Sequence, residues 1–477
     1  MLSQGVVRML FSGLAYLDQN MSPQLDLAKS YHVSKDFKTY TFVLRDCYWS
    51  DGSPITAHDF ENSWKSALTP GYVSTNTNLY YFIKNAQKAL SGAVPIHQVG
   101  VRALDNQTLR VELENPHPHF LNVVINSVFY PVHPTLLHQP LDARHLVSSG
   151  PFRLKNYIFQ DQIILEKNPH YWEADQIQLK QLDYLIVKDA ATALLMFEKG
   201  ELDWVGDPLT RISIDAIPDL KAKGLLHTLP AAGTQWLFFN TNKYPLNNVN
   251  IRKALAYAVD RRKIMQDLFH DHDSSPALGL IPQILKKKRW HPWFQDNDIA
   301  KAKEYLQQGL KELEITAEEL PSITIYYAMN TLWGKVIQAI QQMWEQNLGI
   351  KVKCEGCDGQ LFIRQMYNYE HDIARFGWVM QYDDPANLLE TFKLKNNRPN
   401  LTAWEDANYI RHTEAAYAED EEEKWRHVEA AEKIFFDEMP SIPISEMVAS
   451  YIEQPYVKGV SVNYLYQINF RWTTIEE

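Results

Sequence analysis

The chain has 477 residues, 45% of them hydrophobic and 22% charged, with a formal net charge of −11. That length supports two or three domains, and the hydrophobic share excludes an intrinsically disordered chain. The acidic excess disfavours nucleic-acid backbones, no apolar run of roughly 18 residues encodes a membrane span, and three cysteines are too few for a disulfide framework.

In chain order, Met1 to Leu17 reads as an amphipathic helix with Arg8 inside its apolar part. It is not a signal peptide, which needs a basic leader, an uninterrupted apolar region and a small-residue cleavage site. Thr39 to Arg45 alternates apolar and polar with period two and predicts a strand. Trp49 to Ser53 is turn chemistry, with Gly52 able to take positive φ. Thr56 is placed to cap a helix opening at Ala57. Phe152 to Glu166 predicts two strands around a turn near Gln160 and Asp161.

Between Asn250 and Phe269, residues Ile251, Ala254, Leu255, Ala258 and Val259 fall at helical spacing. The basic run Lys286 to Arg289 reads as a solvated loop. A helix is predicted from about Leu332 to Leu348, with Gly349 as its C-cap and a strand over Ile350 to Cys354 directly after. Cys354 and Cys357 form a lone CxxC, placed in a polar loop after that strand. With no second pair of ligands it is not a zinc site; it reads as free thiols or a local disulfide. A third helix starts near Asp420, making Glu419 to Glu423 its solvated N-terminal end, where negative charge suits the helix dipole. Strands and helices alternate without a repeat, which indicates α/β domains.

His270 to Asp273 and His117-Pro-His119 are weak metal candidates, because adjacent side chains point apart. No HExxH, GxSxG, SxxK or Walker-type loop occurs, and no cofactor is expected.

Five stretches, taken together, carry a resemblance. They are Leu27-Ala28 with Tyr40 to Arg45, Trp49 to Ala57 and Asp59-Phe60; Ser149 to Phe152 with Leu165 to Trp172; Phe197 to Asp203; Phe239-Asn240 with Val249 to Leu255 and Val259 to Arg261; and Phe376 to Trp378 through Asp384-Pro385. In this order the chain resembles the family-five solute-binding proteins of ABC importers. The resemblance implies a two-lobed α/β fold of the type II, peptide-binding class of periplasmic binding proteins, with an extra domain inserted near the N-terminus. Lobe I would take 1–11, 137–232 and 447–477, the extra domain 12–136, and lobe II 233–446. It also implies a periplasmic or extracytoplasmic monomer that captures short peptides and passes them to ABC permease subunits. The family's signal peptide and its first strand, with a Leu-Asp-Pro motif, have no match before the opening helix here. Either the coding start is set too far downstream or the chain is truncated.

The expected ligand site is His371 to Asp384. A strand over His371 to Val379 would let an extended peptide add by main-chain hydrogen bonds, with Gly377 marking close backbone approach or simply lying over a bulky neighbour. Arg375, Gly377, Val379 and Gln381 share one face by period two. Arg375 is read either as the partner of a peptide carboxylate, as the resemblance implies, or as half of a structural salt bridge. Trp378 is read as a pocket wall or a core residue. Where the oligopeptide-binding members carry an aspartate for the peptide's ammonium, this chain has Gln381. A neutral amide cannot neutralise a buried ammonium. Hence Asp383 or Asp384 substitutes, or the ligand's N-terminus is modified, as in acylated cell-wall peptides; either aspartate could instead simply open a turn before Pro385. The rival functions are a hydrolase using Asp383 and Asp384, and a same-fold receptor for a metal chelate or haem.

Overall fold

The computed structural model describes all residues except 1–3, 19, 72–75, 138–144, 271–273, 330, 396–399 and 477. The chain opens with α1 (Gln4–Leu10), shorter than the amphipathic pattern suggested. Beyond Phe11 the backbone turns, because Gly13 packs under the Tyr130 ring where a Cβ would collide and the Ser12 amide is taken by Ser149 Oγ. Ala15–Leu17 is therefore a strand paired with Pro23–Leu25, not helix.

A four-stranded sheet follows, built from β1 (Ala28–Val33), β2 (Thr39–Leu44), β3 (Val101–Ala103) and β4 (Thr108–Glu112) in the order β1-β2-β4-β3. Helix α2 (Ala57–Ala67) covers it, and Asp59 reaches back to the Thr56 amide at 2.7 Å to close its first turn. Gly52 takes φ +87° in the preceding turn. Trp49, Phe60, Trp64, Phe120 and Phe129 fill a separate core in this part of the chain.

Next comes a three-stranded sheet, β5 (Phe152–Ile158), β6 (Gln162–Lys167) and β7 (Gln181–Leu185), with Gln160 at positive φ in the expected turn. It has its own small core around Val6, Met9, Phe152, Leu165 and Ile468. The largest sheet contains β8 (Trp204–Gly206), β9 (His227–Phe239), β10 (Ile323–Ala328), β11 (Val352–Cys357), β12 (Ile373–Val379) and β13 (Ser441–Glu453), in the order β8-β13-β9-β12-β10-β11. Edge strands β7 and β8 both border a cavity of about 620 Å³ lined by Leu182, Leu202, Trp204, Val457 and Phe470.

Around the large sheet lie α3 (Val249–Tyr257), α4 (Arg261–Phe269), α5 (Thr331–Leu348), α6 (Ala386–Lys393) and α7 (Glu421–Glu438), over the largest core. The single helical pattern over 250–269 is two helices, since Asp260 leaves the helical path to cap the Lys263 amide. His270 ends α4 at φ 51°, and the rest of the His270 to Asp273 run lies outside the described residues. Gly349 ends α5 at φ +69°, and Asp420 caps α7 through the Glu423 amide.

Two local expectations fail. The strand expected over 350–354 runs over Val352–Cys357, so the CxxC lies inside β11 rather than in a loop. Strand alternation points Cys354 and Cys357 to opposite faces, toward Gln341 and Gln365 respectively, and both thiols are free. The basic run is not a solvated loop either. Gln283–Lys286 is a helical turn whose Lys286 is buried, with Nζ 2.5 Å from Glu432 Oε2 on α7. Glu432 also accepts from the Leu280 and Ile281 amides.

Candidate functional site

Strands β9 and β13 are each 13 residues long and run side by side through two sections. His227 to Pro230 pair with Val448 to Tyr451, and Thr234 to Phe238 pair with Ser441 to Glu446, with a register break between Pro230 and Thr234. Beside this break β9 pairs with β12 along its length, Gly233 opposite Val379 through Phe239 opposite Ile373. On its other side β12 meets β10 only at Ile373 and Ala374. Among the described residues no strand takes the second edge of 375–379.

Arg375 and Gly377 share a face of β12, as period two requires, and the residue between them in space is Gln235 of β9. Arg375 Nη2 donates to Gln235 Oε1, and the Gln235 carboxamide lies directly over Gly377, where a Cβ would collide with it. The glycine therefore makes room for a glutamine side chain. The Arg375 guanidinium also stacks on Trp333, 3.4 Å from the ring centre. Its Nε has no hydrogen-bond partner, and among the described residues no carboxylate pairs with it. Burial, reinforced by the nearby positive charge of Arg211, holds Arg375 well below the ordinary arginine value. A buried cation with this surrounding has an unmet demand for an anion. Trp378, on the opposite face, packs against the large core and keeps its Nε1–H unpartnered.

The strand stops at Val379, so Gln381 lies past its alternation. Gln381 is anchored at three points: its amide donates to Asn387 Oδ1 (2.7 Å), its carbonyl accepts from Asn126 Nδ2 (3.2 Å), and its Nε2 donates to Asn76 Oδ1 (2.9 Å). The two aspartates that follow diverge. Asp384 is buried, pairs with Lys424 Nζ at 3.2 Å and caps α6 through the Ala386 amide at 2.9 Å. Asp383 is half-buried, and among the described residues no cation pairs with it. Burial and a hydrogen bond to the Asp383 carboxylate push the Tyr464 phenol up.

Sequence reasoning missed Gln235, Trp333, Tyr464 and Lys424. Gln235 carried a readable signal, as a glutamine inside the apolar run Ala231 to Phe239. The others come from distant elements and carried none. His117 and His119 lie between β4 and the helical turn Phe120–Val124. They sit among aromatic rings and Lys424, with Asp384, Glu419 and Glu421 acting on His119, and among the described residues no group of three or more His, Cys, Asp or Glu could hold a metal ion.

The profile of the bacterial extracellular solute-binding proteins, family 5 Middle, matches residues 22–400. The chain belongs to this family. It is 36% identical over 479 residues to the oligopeptide-binding protein OppA of Bacillus subtilis (strain 168), covering 98% of this chain and 88% of that one. It is 26% identical to the periplasmic murein peptide-binding protein MppA of Escherichia coli (strain K12), covering 96% and 86%. Among solved structures, Haemophilus influenzae OppA in complex with RPPGFSPFR superposes with a TM-score of 0.90 at 26% identity, over 99% and 94% of the two chains. These OppA-type neighbours establish the two-lobed α/β fold. The E. coli murein tripeptide-binding protein gives 0.90 in one structure and 0.72 in its unliganded open form. No helix among the described residues is long and apolar enough to cross a membrane.

Proposed function

We propose that this chain is an exported, monomeric receptor that captures short peptides between two closing lobes and delivers them to the permease of an ABC importer. The observation that carries this reading is the edge of β12 that no described strand takes, beside a buried arginine with no carboxylate partner among the described residues. A peptide added along 375–379 meets main-chain donors and acceptors, which serve any sequence. Its C-terminal carboxylate supplies the anion Arg375 lacks. Gly377, Trp378 and Val379 line the strand it joins. The register break between Pro230 and Thr234 is the hinge in this reading, close to the expected lobe edge at 232–233.

For the ligand's ammonium we propose Asp383, with Gln381 holding the loop that presents it. Asp384 is already neutralised by Lys424 and engaged as a helix cap, whereas among the described residues Asp383 has a phenol and no cation as its partner. This arrangement does not suit acid–base hydrolysis, which needs two carboxyls set across one substrate. Asp383→Asn is expected to weaken binding of free tri- to pentapeptides tenfold or more, by about 1.4 kcal/mol at least, and to leave N-acetylated peptides unchanged in calorimetric titrations. Equal loss for both ligands would place the ammonium elsewhere. If the parent itself prefers acetylated peptides, and Gln381→Asp improves the free ones, the ligand has a modified N-terminus. Gly377→Ala is expected to displace the flexible end of Gln235 at a cost of about 1 kcal/mol in stability, and to weaken peptide binding more than it destabilises the fold.

A further inference from the structure

The aromatic seam between residues 76–126 and lobe II contains two histidines that peptide capture does not use. His117 is 2% exposed, and among the described residues neither ring nitrogen has a side-chain or backbone partner at hydrogen-bond distance. Its ring lies 4.8 Å from Phe82 and 6.3 Å from Phe120 on its own side, and 4.6 Å from Tyr417 across the seam. Phe82 also meets Tyr382 and Tyr417, whose hydroxyls are 2.6 Å apart. Asn122 and Asn126 donate across the same seam to the Asp383 and Gln381 carbonyls. On the lobe division and closure proposed above, on which this inference rests, these contacts bridge the two bodies that flank the cleft, forming as it closes and parting as it opens.

We propose that this seam is an acid-sensitive latch: the closed arrangement excludes protonated His117 and His119, so acidification opens the cleft and releases its ligand. An imidazolium at His117 would be buried among rings with no carboxylate paired to it among the described residues and only its own backbone to oppose the cost, a poorly compensated buried charge. His119 would face Lys424, which is nearly buried and already paired with Asp384. Consistently, burial, with His119 and Lys424 adding, pushes His117 down to about 3. Burial and Lys424 also lower His119, opposed by Asp384, Glu421 and Glu419. The remaining titratable neighbours are Tyr40, which bonds the His117 carbonyl, Tyr382 and Tyr417, and Glu390 behind them.

The sign follows from linkage. In the open form Tyr417 and Lys424 withdraw, and the histidines return toward their ordinary value of about 6.5. The closed state binds fewer protons, so closure is fully favoured above about pH 6.5 and is lost as the pH falls. For His117 the window runs from about 6.5 down to its closed value of about 3. Burial raises the Asp384 carboxyl, so its protonation favours closure and opposes the histidines; the slope lost in the histidine variants is therefore the quantity that reads the latch.

The test uses the full chain with a pool of tri- to pentapeptides. The latch predicts that peptide affinity falls about tenfold per pH unit below pH 6.5 for each histidine engaged, and that His117→Phe with His119→Asn removes the slope. A flat parent profile, or a slope that survives in the variant, overturns it. Small-angle scattering of the ligand-free protein gives an arm independent of peptide binding. The parent's radius of gyration should rise between pH 7.5 and 5.5 and the variant's should not. If no peptide binds at any pH, the capture reading fails, and the scattering arm alone decides: equal shifts, or none, in both proteins sink the latch. Should that double variant misfold, His117→Gln with His119→Gln carries the same comparison.

Discussion

Arg375→Met will lose most peptide affinity while leaving the ligand-free protein as stable as the parent or more so. The two effects have opposite signs for one reason. Without ligand, the guanidinium is a buried charge supported by Gln235 and the Trp333 ring, with no carboxylate paired to it among the described residues. Replacing such a group by a well-packed apolar one is commonly neutral or stabilising, by up to about 1–4 kcal/mol. With ligand, the same guanidinium meets a desolvated carboxylate. Truncating one member of a buried, hydrogen-bonded charge pair costs about 2–5 kcal/mol, or roughly 30-fold to several thousand-fold in Kd. Thermal melting without ligand and calorimetric titration with a tripeptide separate the two. A variant that melts lower and binds normally would make Arg375 a structural residue. Arg375→Lys should not rescue fully, because an ammonium lacks the planar fork that grips a carboxylate by two bonds.

The second large effect is on stability and lies away from the cleft. Lys286 and Glu432 form an ion pair whose side chains are both fully buried. Burial raises the Glu432 carboxyl, and Lys286 with the Leu280 and Ile281 amides opposes that rise. Lys286→Met strands the carboxylate and should cost about 3–5 kcal/mol at neutral pH. The double variant Lys286→Met with Glu432→Gln keeps an acceptor for both amides and removes both charges, so it should recover most of the loss. The sign with pH follows from the raised carboxyl. In the single variant, stability is retained below the unfolded carboxyl range, where Glu432 is neutral, and is lost as the pH rises through its folded value. Denaturant unfolding at pH 4 and pH 8 reads this directly. A single variant with equal loss at both pH values would show that packing, not charge, is what was removed.

These two residues mark what the sequence could and could not show. Signals carried within one turn were readable: Gly52 and Gly349 at positive φ, the Thr56–Asp59 closure and Asp420 at the start of α7 all follow from local chemistry. The period-two face of β12 put Arg375 beside Gly377 for the same reason. Lys286 read as solvated because its partner is on α7, well over a hundred residues on, and no local pattern announces a buried pair. Gln235 and Arg375 are likewise 140 residues apart. The CxxC was misplaced by a shift in strand position: with Cys357 buried, burial and pairing with β10 carried the strand on to that residue. Gln381 was set on the strand face by extending period two past Val379, where the chain leaves the sheet to bond Asn76, Asn126 and Asn387.

The most direct test of peptide capture is native mass spectrometry of the protein incubated with a pool of di- to pentapeptides, sampled over hours. The account predicts adducts whose added masses equal intact pool members, one per protein molecule, with Arg375→Met showing far fewer. An absence of adducts at every concentration, or peptides returned shortened, would contradict it.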